Sequence, residues 1–159
     1  MKLAFSEFKH DHSRYIYPYV IWAFPEAGEK PSQLYNAGFL PSTKDLSRFY
    51  MTRQVRVDLN GFELSSENKR ILKHNPNISA QLVKREDFDY TEEWREFCLA
   101  YAKERWGEEI MPAARLDQLF EQPITTHVMF FQDEEKQKNV GLVILFVEEN
   151  KMAHYYYSF

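Results

Sequence analysis

Three apolar segments follow one another at the C-terminal end of the sequence, and they limit the possible folds more than any other feature. They read ITTHVMFFQ, NVGLVILFVEE and MAHYYYSF, and only the linkers DEEKQK and Asn150-Lys151 separate them. Strands this close along the chain pair antiparallel, and a two-residue linker is typical of a tight hairpin. The middle segment is apolar at every position from 140 to 147, whereas a strand with one wet face alternates. We therefore predict a sheet that is covered on both faces.

The last of these segments would form a bare aromatic edge. Tyr155, Tyr156, Tyr157 and Phe159 lie within its final five residues, and native proteins pair, cover or blunt such an edge. Two interpretations are open. Either the strand lies inside a larger domain of which this chain is the N-terminal part, or it pairs with the same strand of a second copy. The second interpretation predicts a homodimer with residues 152–159 at the contact.

Two helices are predicted just before the three strands. The first has an apolar stripe at helical spacing, made of Trp94, Phe97, Cys98 and Tyr101. The second reads MPAARLDQLFEQ, and the segment ISAQLVKREDF before both helices is a strand candidate. The helices can cover one face of the sheet, but no other segment is an obvious cover for the second face. This order predicts an α+β domain with a mixed, mainly antiparallel sheet over residues 77–159.

Residues 1–76 are predicted to form an N-terminal region with short strands and a basic helix. The stretch YIYPYVIWAF reads as an edge strand or as two short pieces, because Pro18 cannot donate to a sheet. The segment RFYMTRQVRVDL alternates from its tyrosine onward and reads as a strand. A helix follows in SSENKRILKHNP, where Ile71 and Leu72 are expected to face inward.

Charge is distributed unevenly along the chain. The net charge is -4, yet residues 44–85 carry nine Lys or Arg against four Asp or Glu. A basic patch in an acidic protein indicates an anionic partner such as nucleic acid, and an ordinary solvated surface is the alternative. Cys98 is the one cysteine, which excludes an internal disulfide. Together with an N-terminus unlike a signal peptide, it predicts a cytoplasmic protein. No apolar run is long enough to span a membrane.

No motif for nucleotide, metal or nucleophilic chemistry is found. The chain has no Walker A, G-x-G-x-x-G, G-x-S-x-G or H-E-x-x-H motif and no pyrophosphate loop of the acetyl-CoA type. His10-Asp11-His12 has the right ligand types, but a metal needs three or four ligands in space. Cys98 lies on the apolar stripe and is expected to be a buried, inert thiol. We therefore expect neither a metal nor another cofactor.

The order of elements resembles the first half of a GNAT-type acyltransferase fold, and local sequence adds a more specific resemblance. The segment GFLPSTKDLSRFYMTRQVRVDLNGFELSSENKRILKHNPNI resembles the N-terminal region of the aminoacyl-tRNA–protein transferases, which include arginyl-tRNA–protein transferases and their bacterial leucyl relatives. The matching positions are Gly38, Phe39, Tyr50, Arg56, Val57, Phe62, Ser65, Lys69, Arg70 and Asn75. FCLAYAKERWGEEIM and VGLVILFVEENKMAHYYYSF are similar to a tyrosine-containing helix and a pair of core strands in that family.

The sequence departs from the family pattern in three places. The cysteine cluster of the family falls near YMTRQVR, which contains no cysteine, so iron–sulfur or metal chemistry tied to that cluster is not implied. Trp106 stands where the family has a histidine. The family segment after the last strand, with its Ser-Leu-Gly turn and following helices, has no counterpart. The resemblance therefore implies a GNAT-like chain that lacks the C-terminal half of the domain.

The resemblance implies aminoacyl transfer from aminoacyl-tRNA to the N-terminus of a protein, with this isolated chain inactive. Because GNAT enzymes bind the acyl group beside the last strand, His154 and Tyr156 are the candidate catalytic residues. Strict alternation places these two with Ser158 on one face, opposite Tyr155, Tyr157 and Phe159. The alternative is that His154 and Tyr156 only pack in the core.

Further candidate residues would bind substrate. They are Arg56, Lys69, Arg70, Lys73, Tyr101 and Arg105. The first four cations would contact tRNA phosphates or an acidic N-terminal residue of the acceptor protein, and a solvated helix face is the alternative. Two other functions remain open. One is an acyl-CoA-dependent N-acetyltransferase of the same fold, and the other is a non-enzymatic module that binds a protein through its aromatic edge.

Overall fold

The computed structural model describes residues 1–7, 19–107, 109–149 and 152–159. Across these residues the protein is α+β, with four α-helices and two four-stranded antiparallel sheets, which confirms the predicted fold class. Its contacts form two compact units, Met1–Val55 and Arg56–Phe159. The second unit therefore includes the helix after Ser65 that the sequence analysis assigned to the N-terminal region.

The first unit is a sheet with one short helix. Its strands are β1 (Lys2–Glu7), β2 (Tyr19–Phe24), β3 (Phe39–Pro41) and β4 (Phe49–Met51), in the order β1-β2-β4-β3, and helix α1 (Pro31–Asn36) precedes β3. Its buried side chains are Val20, Ala23, Leu34, Tyr35, Phe39 and Phe49. Because β2 lies between β1 and β4, the prediction of an edge strand is wrong for this segment. Pro18 and the residues just before it lie outside the described residues.

The long strand predicted in RFYMTRQVRVDL ends early. Only Phe49–Met51 pairs with neighbouring strands, and Val55 is 97% exposed. Alternating residues form a strand only where a neighbouring backbone supplies hydrogen bonds. Beyond Met51 the chain has left the sheet, so the remainder of this prediction is wrong.

The second unit contains the other sheet. Its strands are β5 (Ile78–Lys84), β6 (His127–Asp133), β7 (Lys138–Glu148) and β8 (Met152–Ser158), and they pair antiparallel in chain order. Three helices belong to this unit: α2 (Ser66–His74), α3 (Glu92–Trp106) and α4 (Ala113–Glu121). The predicted order of strand, helix, helix and three strands is confirmed. Gly107 ends α3 with a positive φ of 96°, as a residue without a Cβ allows.

Helices α3 and α4 cover one face of this sheet. The buried cluster includes Trp94, Cys98, Leu116, Leu119, Val128, Leu142 and Ile144. Trp94 and Cys98 confirm the predicted inward stripe of α3, although Tyr101 at its end is 38% exposed. From residue 142 to residue 147 the side chains of β7 alternate between buried and half-buried, so its two faces differ.

The opposite face of this sheet is only partly covered. It carries the cross-strand row Leu82, Met129 and Val143 and, beside it, Leu145 and Tyr155. Leu82 is 53% exposed and Tyr155 is 59% exposed. The expectation that both faces would be covered is therefore wrong for this second face, which we call the open face.

Candidate functional site

A β-bulge in β8 decides which way the predicted catalytic residues point. Ile144 pairs with Tyr157 and Phe146 pairs with His154, and the register shifts between the two pairs. Ile144 and Phe146 are both buried on the helix-covered face. His154 therefore lies on the same face as Tyr157, although the two residues are three positions apart in sequence. Strict alternation had placed these two residues on opposite faces, so that prediction is wrong.

The remaining β8 residues follow from the same bulge. Ser158 pairs with Val143 and Tyr155 pairs with Leu145, both on the open face, and the Tyr155 hydroxyl donates a hydrogen bond to Ser158 Oγ. Tyr156 is the extra residue of the bulge. A bulge sets two residues of one strand against one of its partner, and this is why alternation fails here.

His154 is half-buried and its ring contacts that of Tyr156, with centroids 5.9 Å apart. Burial lowers the pKa of His154 below its ordinary value of 6.5, because taking the ring out of water disfavours its charged form. The imidazole is therefore neutral at pH 7. A neutral imidazole can accept a proton, as a general base must.

An aromatic cluster surrounds the C-terminal end of β8. The Tyr101 ring centroid lies 5.8 Å from that of Trp106 and 6.4 Å from that of Phe159, and Trp106 also contacts Tyr157. The structure thus brings Tyr101 close to the last strand, as a shared site requires. Trp106 is a packing residue in this cluster.

Two arginines lie near this cluster, and one of them is hydrogen-bonded to it. Arg105 is exposed on the last turn of α3. Arg115 Nη2 lies 3.4 Å from the Tyr157 hydroxyl, to which it donates a long hydrogen bond. No local sequence pattern signals this role of Arg115, because the contact joins residues 42 positions apart.

The predicted basic residues are exposed on α2. Lys69 and Lys73 are four positions apart and thus lie on one side of the helix. Arg70 is different, because its Nε and Nη2 atoms donate to the carboxylate of Glu67 at 2.8 and 2.7 Å. That bond raises the pKa of Arg70 and lowers that of Glu67. Lys69 and Lys73 are therefore the cations of α2 best able to meet an anion.

The predicted site residues form two groups. His154, Tyr156 and Tyr101 lie on or beside β8. Within the described residues, no hydrogen bond, ion pair or ring contact joins Lys69, Arg70 or Lys73 to that strand. Arg56 is exposed at the start of the second unit, outside any helix or strand. The prediction that Ile71 and Leu72 face inward is wrong, since no residue of α2 is buried.

No sequence pattern signalled a groove that lies beside α3. One part of about 500 Å³ is lined by Asp87, Asp89 and Glu93, with Trp94 and Phe130 among its apolar residues. A second part of about 400 Å³ continues past Glu96 and Phe97 and includes Lys138. Glu93 and Asn139 line both parts, so we treat them as one feature, the α3 groove. Its carboxylates come from a loop and a helix and carry no recognisable motif.

No protein-family model, curated protein or solved structure matches this chain.

Neither a metal centre nor a reactive thiol is found among the described residues. No three His, Cys, Asp or Glu side chains there are grouped so that they could hold a metal ion, and His10-Asp11-His12 lies outside the described residues. The Cys98 thiol is fully buried, and burial raises its pKa to about 12. It is therefore protonated at neutral pH and a poor nucleophile. None of the described helices has the length and apolar content needed to cross a bilayer.

Proposed function

We propose that this protein acts in aminoacyl transfer from aminoacyl-tRNA to the N-terminus of a protein, in the cytoplasm, and that α2 contacts the tRNA. The single structural observation that carries the proposal is the exposed pair Lys69 and Lys73 on one side of α2. Cations arranged in this way neutralise neighbouring phosphates. The resemblance to the N-terminal region of the aminoacyl-tRNA–protein transferases includes Lys69 and Arg70 and supplies the reaction class.

The chemistry needs few groups. The α-amine of the acceptor protein attacks the ester carbonyl of the aminoacyl-tRNA, a C–N bond forms, and the ester C–O bond breaks to release the tRNA hydroxyl. The amine must lose a proton, and a neutral His154 is suited to accept it. Tyr156, whose ring contacts that of His154, offers a hydroxyl group that can donate to the carbonyl oxygen as charge develops. Because the ester is already activated, positioning contributes much of the rate.

The proposal is tested by tRNA binding as a function of salt. Fluorescence anisotropy with a labelled aminoacyl-tRNA would be measured from low to physiological ionic strength. We expect tRNA binding to weaken as salt rises. The slope of the logarithm of the binding constant against the logarithm of salt concentration should be smaller in magnitude by about two in Lys69→Glu/Lys73→Glu than in the unmodified chain, roughly one for each lost phosphate contact. The matched control is Lys2→Glu, an exposed lysine of β1, which should leave the slope unchanged.

Three outcomes would contradict the proposal. They are an absence of tRNA binding, binding that is independent of salt, and equal effects of the α2 and β1 substitutions. Arg70 is left unchanged in this test, because replacing it would also break its bond with Glu67 and confuse helix stability with binding.

A non-enzymatic protein-binding module is the second candidate function. The open face favours it, since Leu82, Tyr155 and their apolar neighbours stay partly in water and an exposed apolar patch often marks an interaction site. An acyl-CoA-dependent N-acetyltransferase receives no such support from a particular observation.

A further inference from the structure

Helix α2 is amphipathic, but it has no cover. Ile71 and Leu72 are 47% and 59% exposed, and apart from half-buried Asn68 every residue of the helix is exposed. A helix of nine residues has little stability in water by itself. It persists here with a capping box, in which Asn68 N–H donates to Ser65 Oγ. An uncovered apolar pair between two lysines is the pattern of a docking helix.

The α3 groove has the opposite charge and a matching apolar lining. Its carboxylates are Asp87, Asp89, Glu93 and Glu96, against the single cation Lys138 among its lining residues. Trp94, Phe97 and Phe130 supply the apolar surface. A basic helix with two exposed aliphatic side chains therefore complements this groove in both charge and polarity.

Hydrogen bonds hold the link between α2 and β5 in place. Asn75 N–H donates to Leu72 O, and Ile78 N–H donates to Asn75 O, so the short link is a hydrogen-bonded turn. Asn77 is also bonded to the β6–β7 hairpin, through Glu134 N–H to Asn77 O at 2.9 Å. The helix is exposed rather than seated in the groove of its own chain, and a second copy can offer its α2 to the groove with these bonds intact.

We propose that α2 of one molecule docks in the α3 groove of a second copy, with Ile71 and Leu72 against its aromatic residues and Lys69 and Lys73 facing Glu93 and Glu96. The exchange is reciprocal, so two identical contacts close a two-fold dimer. Each helix is only about 14 Å long, and the buried area falls at the lower end of specific interfaces. The dimer is therefore weak, reversible and sensitive to salt.

Sedimentation velocity over a range of protein concentrations tests this contact. We expect reversible dimerisation that weakens as salt rises, and a loss of affinity of about tenfold or more in Lys69→Glu/Lys73→Glu and in Glu93→Lys/Glu96→Lys. Combining all four substitutions in one chain restores opposite charges and should recover most of the affinity. Circular dichroism checks that each variant is folded. If a charge reversal unfolds the chain, the neutral variants Lys69→Gln/Lys73→Gln and Glu93→Gln/Glu96→Gln take its place.

Several results would overturn the proposal. A monomer at every concentration would do so, and so would a dimer whose affinity is unchanged by both charge reversals or not recovered in the combined variant. Tyr155→Lys on β8 is the control for pairing through the last strand and should leave this dimer unchanged. The variant Glu93→Lys/Glu96→Lys carries no substitution in α2. Measuring its binding to tRNA therefore tests the proposed function separately from the dimer contact.

Discussion

Two leucine-to-alanine substitutions in one sheet measure how unequal its two faces are. Leu142 in β7 is fully buried on the helix-covered face, whereas Leu82 in β5 is 53% exposed on the open face. The chemical change is identical in Leu142→Ala and Leu82→Ala. Any difference in the free energy of unfolding therefore reports the surroundings of each side chain.

The structure sets the expected magnitudes. Removing a fully buried leucine side chain down to alanine costs about 2–5 kcal/mol, from lost burial and the cavity left behind. At Leu82 about half of the side chain is already in water, and full burial of a leucine is worth roughly 1.5–3 kcal/mol, so its truncation should cost about 1 kcal/mol or less. No closed cavity forms there. We expect Leu142→Ala to exceed Leu82→Ala by about 2 kcal/mol.

Urea unfolding followed by tryptophan fluorescence and circular dichroism provides the assay. With a slope of about 1–3 kcal/mol per molar urea, a difference of this size separates the two midpoints by roughly 1 M. The slopes must agree between the variants for the midpoints to be compared. If Leu82→Ala cost as much as Leu142→Ala, the open face would be covered in solution, and the reasoning from its exposure would be refuted.

Three further predictions concern pH, a helix cap and the sheet edge. Burial lowers the pKa of His154, so the unfolded chain takes up the proton at a higher pH than the folded chain does. The free energy of unfolding should therefore decline as pH falls below 6.5. In urea unfolding from pH 7 to 5, His154→Phe should make that decline less steep. Ser65→Ala removes the hydrogen bond to Asn68 N–H and should destabilise α2 by about 1 kcal/mol; unchanged amide exchange in the helix would contradict this. Dimerisation by pairing through β8 stays a prediction, and Tyr155→Lys should weaken any such dimer in sedimentation. Tyr157 is unsuitable for the same substitution because its ring packs on that of Trp106.

The sequence by itself determined the fold class and the order of strands and helices from β5 to β8. The continuous apolar run in β7, the helical spacing of Trp94 and Cys98 and the short linkers each reflect local geometry. The period with which side chains change direction and the distance that a linker can span are both set within a few residues. They can therefore be predicted without knowing which segment packs against them. For the same reason the positions of α3 and α4 and the order of the last three strands were predicted correctly.

Only the tertiary structure decided which face each side chain occupies and which surfaces stay exposed. The bulge at Tyr156 places His154 and Tyr157 on one face, where alternation had placed them on opposite faces, and it is seen only in the pairing of β8 with β7. Ile71 and Leu72 have the pattern of a buried face, yet no part of the second unit buries them. Strand register and burial are properties of contacts between distant segments, and a one-residue shift in pairing changes the face of every residue beyond it.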